Sequence, residues 1–208
     1  MHTDPVIASR QRRVLGWLRR EALPLLVLVL LLTAARSSLA NHYHVPSGSM
    51  QPALQPGDRV VVDMRAYGWR LPFTTHDLVT VADPAPGDVV VFDSPADGTR
   101  LIKRVAAVGG QQVEVRGGRL LVEGQRPPEH ASAAEHVGSR RITLDLAHGG
   151  GADFGPVRVP EGEVLVLGDH RGASFDGRYF GLVPVDAFYG RAVAVYHRRG
   201  DGFGWRRL

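Results

Sequence analysis

The chain has a single lysine, Lys103, among 25 Lys and Arg residues. It stands in the apolar run "LIKRVAAV" (101–108). Arginine serves wherever a surface cation is enough, because its guanidinium stays protonated, whereas an enclosed lysine can lose its proton. In a strand, Leu101, Lys103 and Val105 share a face. Such neighbours strip water from the amine and lower its pKa, by up to roughly 3–5 units at full burial. A neutral amine near pH 7 is a general base. The plainer alternative is a strand-edge lysine with its head in water, and a genome rich in G and C would also favour Arg.

A base needs a proton to take, and "VPSGSMQPAL" (45–54) offers two hydroxyls. Ser49 is the candidate nucleophile, since a serine hydroxyl attacks only when a nearby base accepts its proton. The tetrahedral intermediate then needs donors aimed at its oxyanion, for which the Ser49 N–H and the Ser47 hydroxyl are candidates. Gly48 lets a substrate approach the backbone closely. Alone, Ser-Gly-Ser reads equally as a linker. A third stretch, "GDHRGASFDGRYFG" (168–181), follows the apolar "VLVL" and carries Asp169, Arg171, Ser174, Asp176 and Arg178. Acids alternating with arginines after a buried strand suggest an ion-pair network holding a loop beside the site. His170 is a rival base, with Asp169 or Asp176 behind it. His42 and His44 share a strand face, but no third ligand stands at useful spacing, so neither metal nor cofactor is expected.

These residues must be carried by strands. "RVVVD" (59–63), "DVVVFD" (88–93), 100–108, "QVEVRGGRLLVEG" (112–124), "GEVLVLGD" (162–169) and "GRAVAVYH" (190–197) are β-rich and punctuated by Gly, Pro and Asp. They predict a mainly β, antiparallel body. The 112–124 run predicts a hairpin turning at Gly117-Gly118, where paired glycines supply positive φ. Residues 125–160 are polar and Gly-rich and read as a small variable lobe or long connection. "AYGWRLPF" (66–73) reads either as a patch at a bilayer interface or as a loop packed on the core.

Residues 1–21 form a basic N-terminus, and Ala22 to Ala35 is an uncharged stretch of 14 residues, mostly Leu and Val. Arg36 can snorkel and extend the stretch to Ala40, predicting one transmembrane helix over 22–40 and an exported domain over 41–208. Basic residues on the N-terminal side place that end in the cytoplasm. Ser38-Leu39-Ala40 also fits a cleavable signal peptide, which would export the domain equally. Residues 1–40 carry a net charge of +4 and residues 41–208 balance 19 basic with 19 acidic residues. The basic excess therefore belongs to the membrane segment, and no nucleic-acid partner is expected. With no cysteine, disulfides, thiol nucleophiles and thiolate metal sites are excluded.

In this order, "PSGSMQPALQPGD", "GDVVVF", "RLIKRVAAVGG" and "GDHRGASFDGRYFGLVP" resemble the motifs of bacterial type I signal peptidases, the serine–lysine proteases that remove signal peptides. The likeness covers most of residues 36–195. It implies Ser49 as nucleophile, Lys103 as base, Ser47 as oxyanion donor, Ser174 as the residue that orients the lysine, and Asp176 with Arg178 as a supporting pair beside Gly168 and Asp169. It also implies small-residue pockets lined by Val45, Pro46, Met50, Leu54, Leu101 and Ile102, and a retained anchor in the bacterial inner membrane. The partners are then signal peptides of exported preproteins and membrane lipid. Two positions depart from the family: His170 and Gly172 stand where Asn and Asp are usual. The lysine motif runs into Gly109-Gly110-Gln111 instead of Pro-Gly-Asp. Rival readings are the self-cleaving repressor type of serine–lysine protease, a dedicated peptidase of a conjugation or pilus system, and a non-catalytic envelope binding protein.

Overall fold

The computed structural model describes residues 16–70, 77–124 and 133–208. Helix α1 (Leu23–Leu39) follows a π-helical turn over Leu18–Ala22 and runs directly into strand β1 (Ala40–His44). The main sheet continues through β2 (Arg59–Asp63). A separate ribbon is formed by β3 (Gly68–Arg70) and β4 (Asp77–Thr80). Then come β5 (Val89–Asp93), β6 (Arg100–Val108), β7 (Gln112–Arg116), β8 (Arg119–Val122), β9 (Ala134–Val137), β10 (Arg140–Thr143), β11 (Phe154–Arg158) and β12 (Glu163–Leu167). Helix α2 (Gly177–Phe180), β13 (Val183–Pro184), β14 (Phe188–Arg198) and β15 (Gly202–Arg207) complete the chain. Eight strands form one antiparallel sheet in the order β1-β2-β14-β5-β6-β12-β13, with β15 on β14.

The centre of this sheet has apolar side chains on both faces, which is why its strands are continuous apolar runs. On β5, Val89 and Val91 enter one core with Val45, Met50, Leu54, Val60 and Val62. Val90 and Phe92 enter a second with Val105, Val164, Val166 and Phe188. β6 runs alongside, pairing Val90 with Lys103 and Val91 with Ile102. Within this environment Lys103 and Arg104 are the two adjacent charged residues of β6 that lose their water.

The β7–β8 hairpin turns at Gly117 and Gly118, with φ of 56° and 78°, as the paired glycines predict. The 125–160 segment is more ordered than a loose connection. Residues 125–132 lie outside the described residues, but β9 and β10 pair with each other and β11 pairs with β7. Val137, Ile142, Leu144 and Val159 share a third core with Val113, Val115, Leu165 and Leu167. This lobe is therefore packed onto the strand that leads to the site loop.

Helix α1 falls one residue inside each end of the expected 22–40 segment. Its Leu23, Leu25, Leu26, Val27, Leu28, Val29, Leu30 and Leu32 are all exposed. At 1.5 Å per residue its 17 residues reach about 25 Å, short of the roughly 30 Å of a bilayer core. Among the described residues, no helix is long and apolar enough to cross a membrane. Of the 66–73 stretch, residues 71–73 lie outside the described residues. Tyr67 packs against Phe188 at 6.1 Å between ring centroids and donates its hydroxyl to Asp88 at 3.2 Å, as a core loop would.

Candidate active site

The loop that carries Ser49 is pinned at both ends. Val45 N–H donates to Asp58 O and Gly57 N–H to Val45 O, both at 2.9 Å. Gln51 N–H closes a turn onto Gly48 O at 3.0 Å, and Leu54 N–H reaches Met50 O at 2.9 Å. Met50 and Leu54 sink into the core at 0% exposure, which leaves the intervening backbone little freedom. Ser47 and Ser49 emerge with their hydroxyl oxygens 3.3 Å apart.

Lys103 comes to meet Ser49 from β6. It lies between Leu101 and Val105 on one strand face and is 2% exposed. Its Nζ donates to Ser49 Oγ at 2.8 Å. Burial pushes the amine from 10.5 down to about 8, and the Arg178 guanidinium pushes the same way. The Asp176 and Asp169 carboxylates oppose that fall without cancelling it. In the neutral state the contact reverses, with Ser49 O–H donating to Nζ. A buried serine is thus joined to a lysine able to deprotonate it near neutral pH.

The 168–181 loop backs this pair. Asp176, with no exposed surface, caps α2 and accepts from the Gly168 N–H at 2.9 Å and from Arg178 Nε at 2.8 Å. Arg178 is held further by the Arg171 carbonyl at 2.6 Å. Asp169 accepts both arms of Arg104, at 2.8 and 2.7 Å, and Arg104 also donates to Gly87 O at 2.8 Å. Gly168 allows the loop to press against the nucleophile: a Cβ there would lie 2.2 Å from Ser174 Oγ and 2.5 Å from Ser49 O. The His170 N–H donates to that same Ser49 carbonyl at 3.1 Å.

The expected residues separate into those brought together and those placed elsewhere. Ser49, Lys103, Gly168, Asp169, Asp176 and Arg178 form one buried cluster with its supports, and the exposed Ser47 stands within hydrogen-bond distance of Ser49. Ser174 lies beside Gly168, but its buried Oγ makes no hydrogen bond among the described residues, so the lysine-orienting bond implied by the resemblance is not formed. Val45, Met50 and Leu54 are core residues at 2%, 0% and 0% exposure, whereas Pro46 is exposed and Leu101 and Ile102 are half-buried. Any surface offered to a substrate by this set comes from the latter three. His170 turns its ring toward the Gly48 carbonyl, at 3.3 Å, and toward His148, not toward the Ser49 hydroxyl.

Three partners escaped the sequence reading. Arg104 was readable in part, because a second charge inside an apolar strand must pair when buried. Glu135, buried at 1% exposure and joined to Arg171 at 2.7 Å, and His148, over His170, gave no local signal.

The family model described as signal peptidase, peptidase S26, matches residues 18–197. A signal peptidase I of Pseudomonas fluorescens is 33% identical over 199 residues, covering 83% of this chain and 69% of that protein. A probable signal peptidase I-2 of a Synechocystis strain is 31% identical over 175 residues, covering 81% of this chain and 68% of that one. A solved signal peptidase I from Enterococcus faecalis is 29% identical, covers 54% of this chain and 98% of its own, and superposes with a TM-score of 0.38. With a family model spanning most of its length, this chain belongs to the signal peptidase family, peptidase S26, and is a serine peptidase.

Proposed function

We propose that the chain cleaves N-terminal signal peptides from exported preproteins after small-x-small sites, with Ser49 as nucleophile and Lys103 as general base. The observation that carries this reading is the 2.8 Å contact between Lys103 Nζ and Ser49 Oγ in a site where burial holds the amine at about 8. Neutral Lys103 takes the Ser49 proton as Oγ attacks the scissile carbonyl. The Ser49 N–H and the Ser47 hydroxyl receive the oxyanion. Lys103 then protonates the leaving amine, and its freed lone pair takes a proton from the water that hydrolyses the ester. Asp176, Arg178, Gly168 and Asp169 hold the loop behind the nucleophile, and Ser174 fills the space beside Gly168. Small side chains at the −1 and −3 positions rest against Pro46, Leu101 and Ile102, backed by buried Val45, Met50 and Leu54.

The uncovered apolar face of α1 supports a membrane role. Eight exposed Leu and Val residues on a helix that the body does not cover are costly in water and suited to lipid. We read α1 with its flanks as a single retained anchor in the bacterial inner membrane, with the basic end cytoplasmic. Arg36 to Ser49 is 13 residues, at most about 45 Å of extended chain, so the site stays near the outer membrane surface, where a translocated cleavage site emerges.

Cleavage of a preprotein with a small-x-small site tests the reading. Ser49→Ala and Lys103→Arg should each abolish cleavage with the fold retained. Lys103→Arg keeps the positive charge and removes the titratable base, so full activity in that variant would refute the dyad.

A further inference from the structure

His170 and Gly172 both meet the same segment of the lobe. Residues 145–151 run beside the 168–172 loop, tied by Asp145 N–H to Asp169 O at 2.9 Å and Arg171 N–H to Asp145 O at 3.1 Å. A turn closed by Gly149 N–H on Leu146 O, at 2.9 Å, then swings His148 over His170. His148 Nδ1 stands 2.9 Å from His170 Nε2, with ring centroids 4.9 Å apart. The turn fits only because residue 172 has no side chain: a Cβ there would lie 2.2 Å from the His148 carbonyl oxygen. Gly172 therefore makes the space and His170 makes the bond.

His170 is 6% exposed and spans from the lobe to the nucleophile. Its Nδ1 faces Gly48 O at 3.3 Å, and its backbone N–H holds Ser49 O at 3.1 Å. A neutral imidazole has one donor and one acceptor nitrogen. If Nδ1 donates to Gly48 O, then Nε2 accepts, and His148 must supply the proton from its own Nδ1. The charged groups around the pair are already paired or at its edge. Asp145 Oδ2 lies 3.9 Å from His170 Nε2. Arg171 is held by Glu135, Arg178 by Asp176, and Asp169 by Arg104.

We propose that His148 and His170 are positioning residues for the nucleophile: His148 sets the tautomer and ring angle of His170, and His170 holds the Gly48–Ser49 backbone so that Ser49 Oγ meets Lys103. The proposal rests on the reading of Ser49 and Lys103 as the catalytic pair. It makes the aim of the nucleophile depend on a turn of the small lobe more than 90 residues away in sequence.

The test measures kcat and KM for preprotein cleavage by the full chain, with Ser49→Ala as the blank. His148→Ala and His170→Ala should each lower kcat roughly tenfold, equivalent to about 1.4 kcal/mol, with KM changed less than about twofold. His170→Asn places an amide N–H where the ring Nδ1–H was and needs no tautomer set from outside. It should recover most of the kcat lost in His170→Ala. In that background His148→Ala should have no further effect, the non-additivity expected of residues acting in series. Nitrogen-15 NMR of the wild-type chain should find His170 as the Nδ1–H tautomer, and His148→Ala should mix the tautomers. Wild-type kcat in His148→Ala, an undiminished His148→Ala effect in the His170→Asn background, or an Nε2–H tautomer at His170 would each overturn the proposal. Cleavage by Ser49→Ala, or none by wild type, would instead count against the serine–lysine reading, and the tautomer measurement would still decide the histidine pair.

Discussion

Replacing Lys103 with methionine should abolish activity and make the protein more stable at neutral pH. The side chain lies in an apolar strand face at 2% exposure, so the native state bears the cost of a buried ammonium whenever the amine is protonated. The gap between its ordinary 10.5 and its folded value of about 8 measures that cost. At about 1.4 kcal/mol per pH unit it comes to about 3 kcal/mol. The sign follows from proton counting. Below pH 8 the lysine is charged in both states and the native state carries the full cost. From pH 8 to 10.5 the native lysine is neutral while the unfolded one still binds a proton, so stability rises with pH. Above 10.5 neither is charged and the cost is gone. Methionine removes the cost and also the Ser49 hydrogen bond, which contributes about 1 kcal/mol. Lys103→Met should therefore gain about 2 kcal/mol at pH 7 and lose that advantage by pH 10.5. Urea unfolding of both proteins at pH 7 and pH 10 measures the difference directly. A stability difference that does not change between these pH values would refute burial as the cause of the depressed pKa, and with it the account of how Lys103 becomes a base.

The same pKa predicts that kcat/KM for preprotein cleavage climbs about tenfold per pH unit and levels near pH 8, where Lys103 becomes neutral; a limb centred near 6.5 would point to a histidine base instead. Gly168→Ala should cut turnover by roughly 100-fold, because its Cβ must displace Ser174 Oγ from 2.2 Å and Ser49 O from 2.5 Å. Wild-type turnover in that variant would show that the loop is free to move away. Arg104→Met strands the Asp169 carboxylate at 1% exposure and should cost about 3–5 kcal/mol in chemical denaturation, whereas a loss under about 1 kcal/mol would mean Asp169 is already satisfied by other groups.

The elements that carry the site were legible because their signals are local. β2, β5, β6 and β12 announce themselves as short β-branched runs between turn residues, and Gly117-Gly118 turns where it does because both residues sit at positive φ. Lys103 stands out by being the only lysine, and its strand neighbours already imply a depressed pKa. The lobe was less legible. In "AHGGGADFG" the glycines resemble a flexible connection, yet Gly150 and Gly151 are small because the β7–β8 turn and the Arg178 guanidinium press against them. A glycine needed for close approach and a glycine free to move are written the same way.

Residue types and spacing alone pointed to a β body, an apolar N-terminal helix, and a serine and a lysine as candidates for acyl transfer. These follow from side-chain chemistry and from the short period of a strand. Only the tertiary structure decided which groups face one another: Lys103 with Ser49 across 54 positions, Arg104 with Asp169 across 65, Arg171 with Glu135 across 36, and His148 with His170 across 22. It also moved Val45, Met50 and Leu54 from the expected pocket lining into the core beneath it. The reason is physical. Burial and pairing depend on which strands become neighbours, and strand order is set by the packing of the whole sheet, not by any one segment.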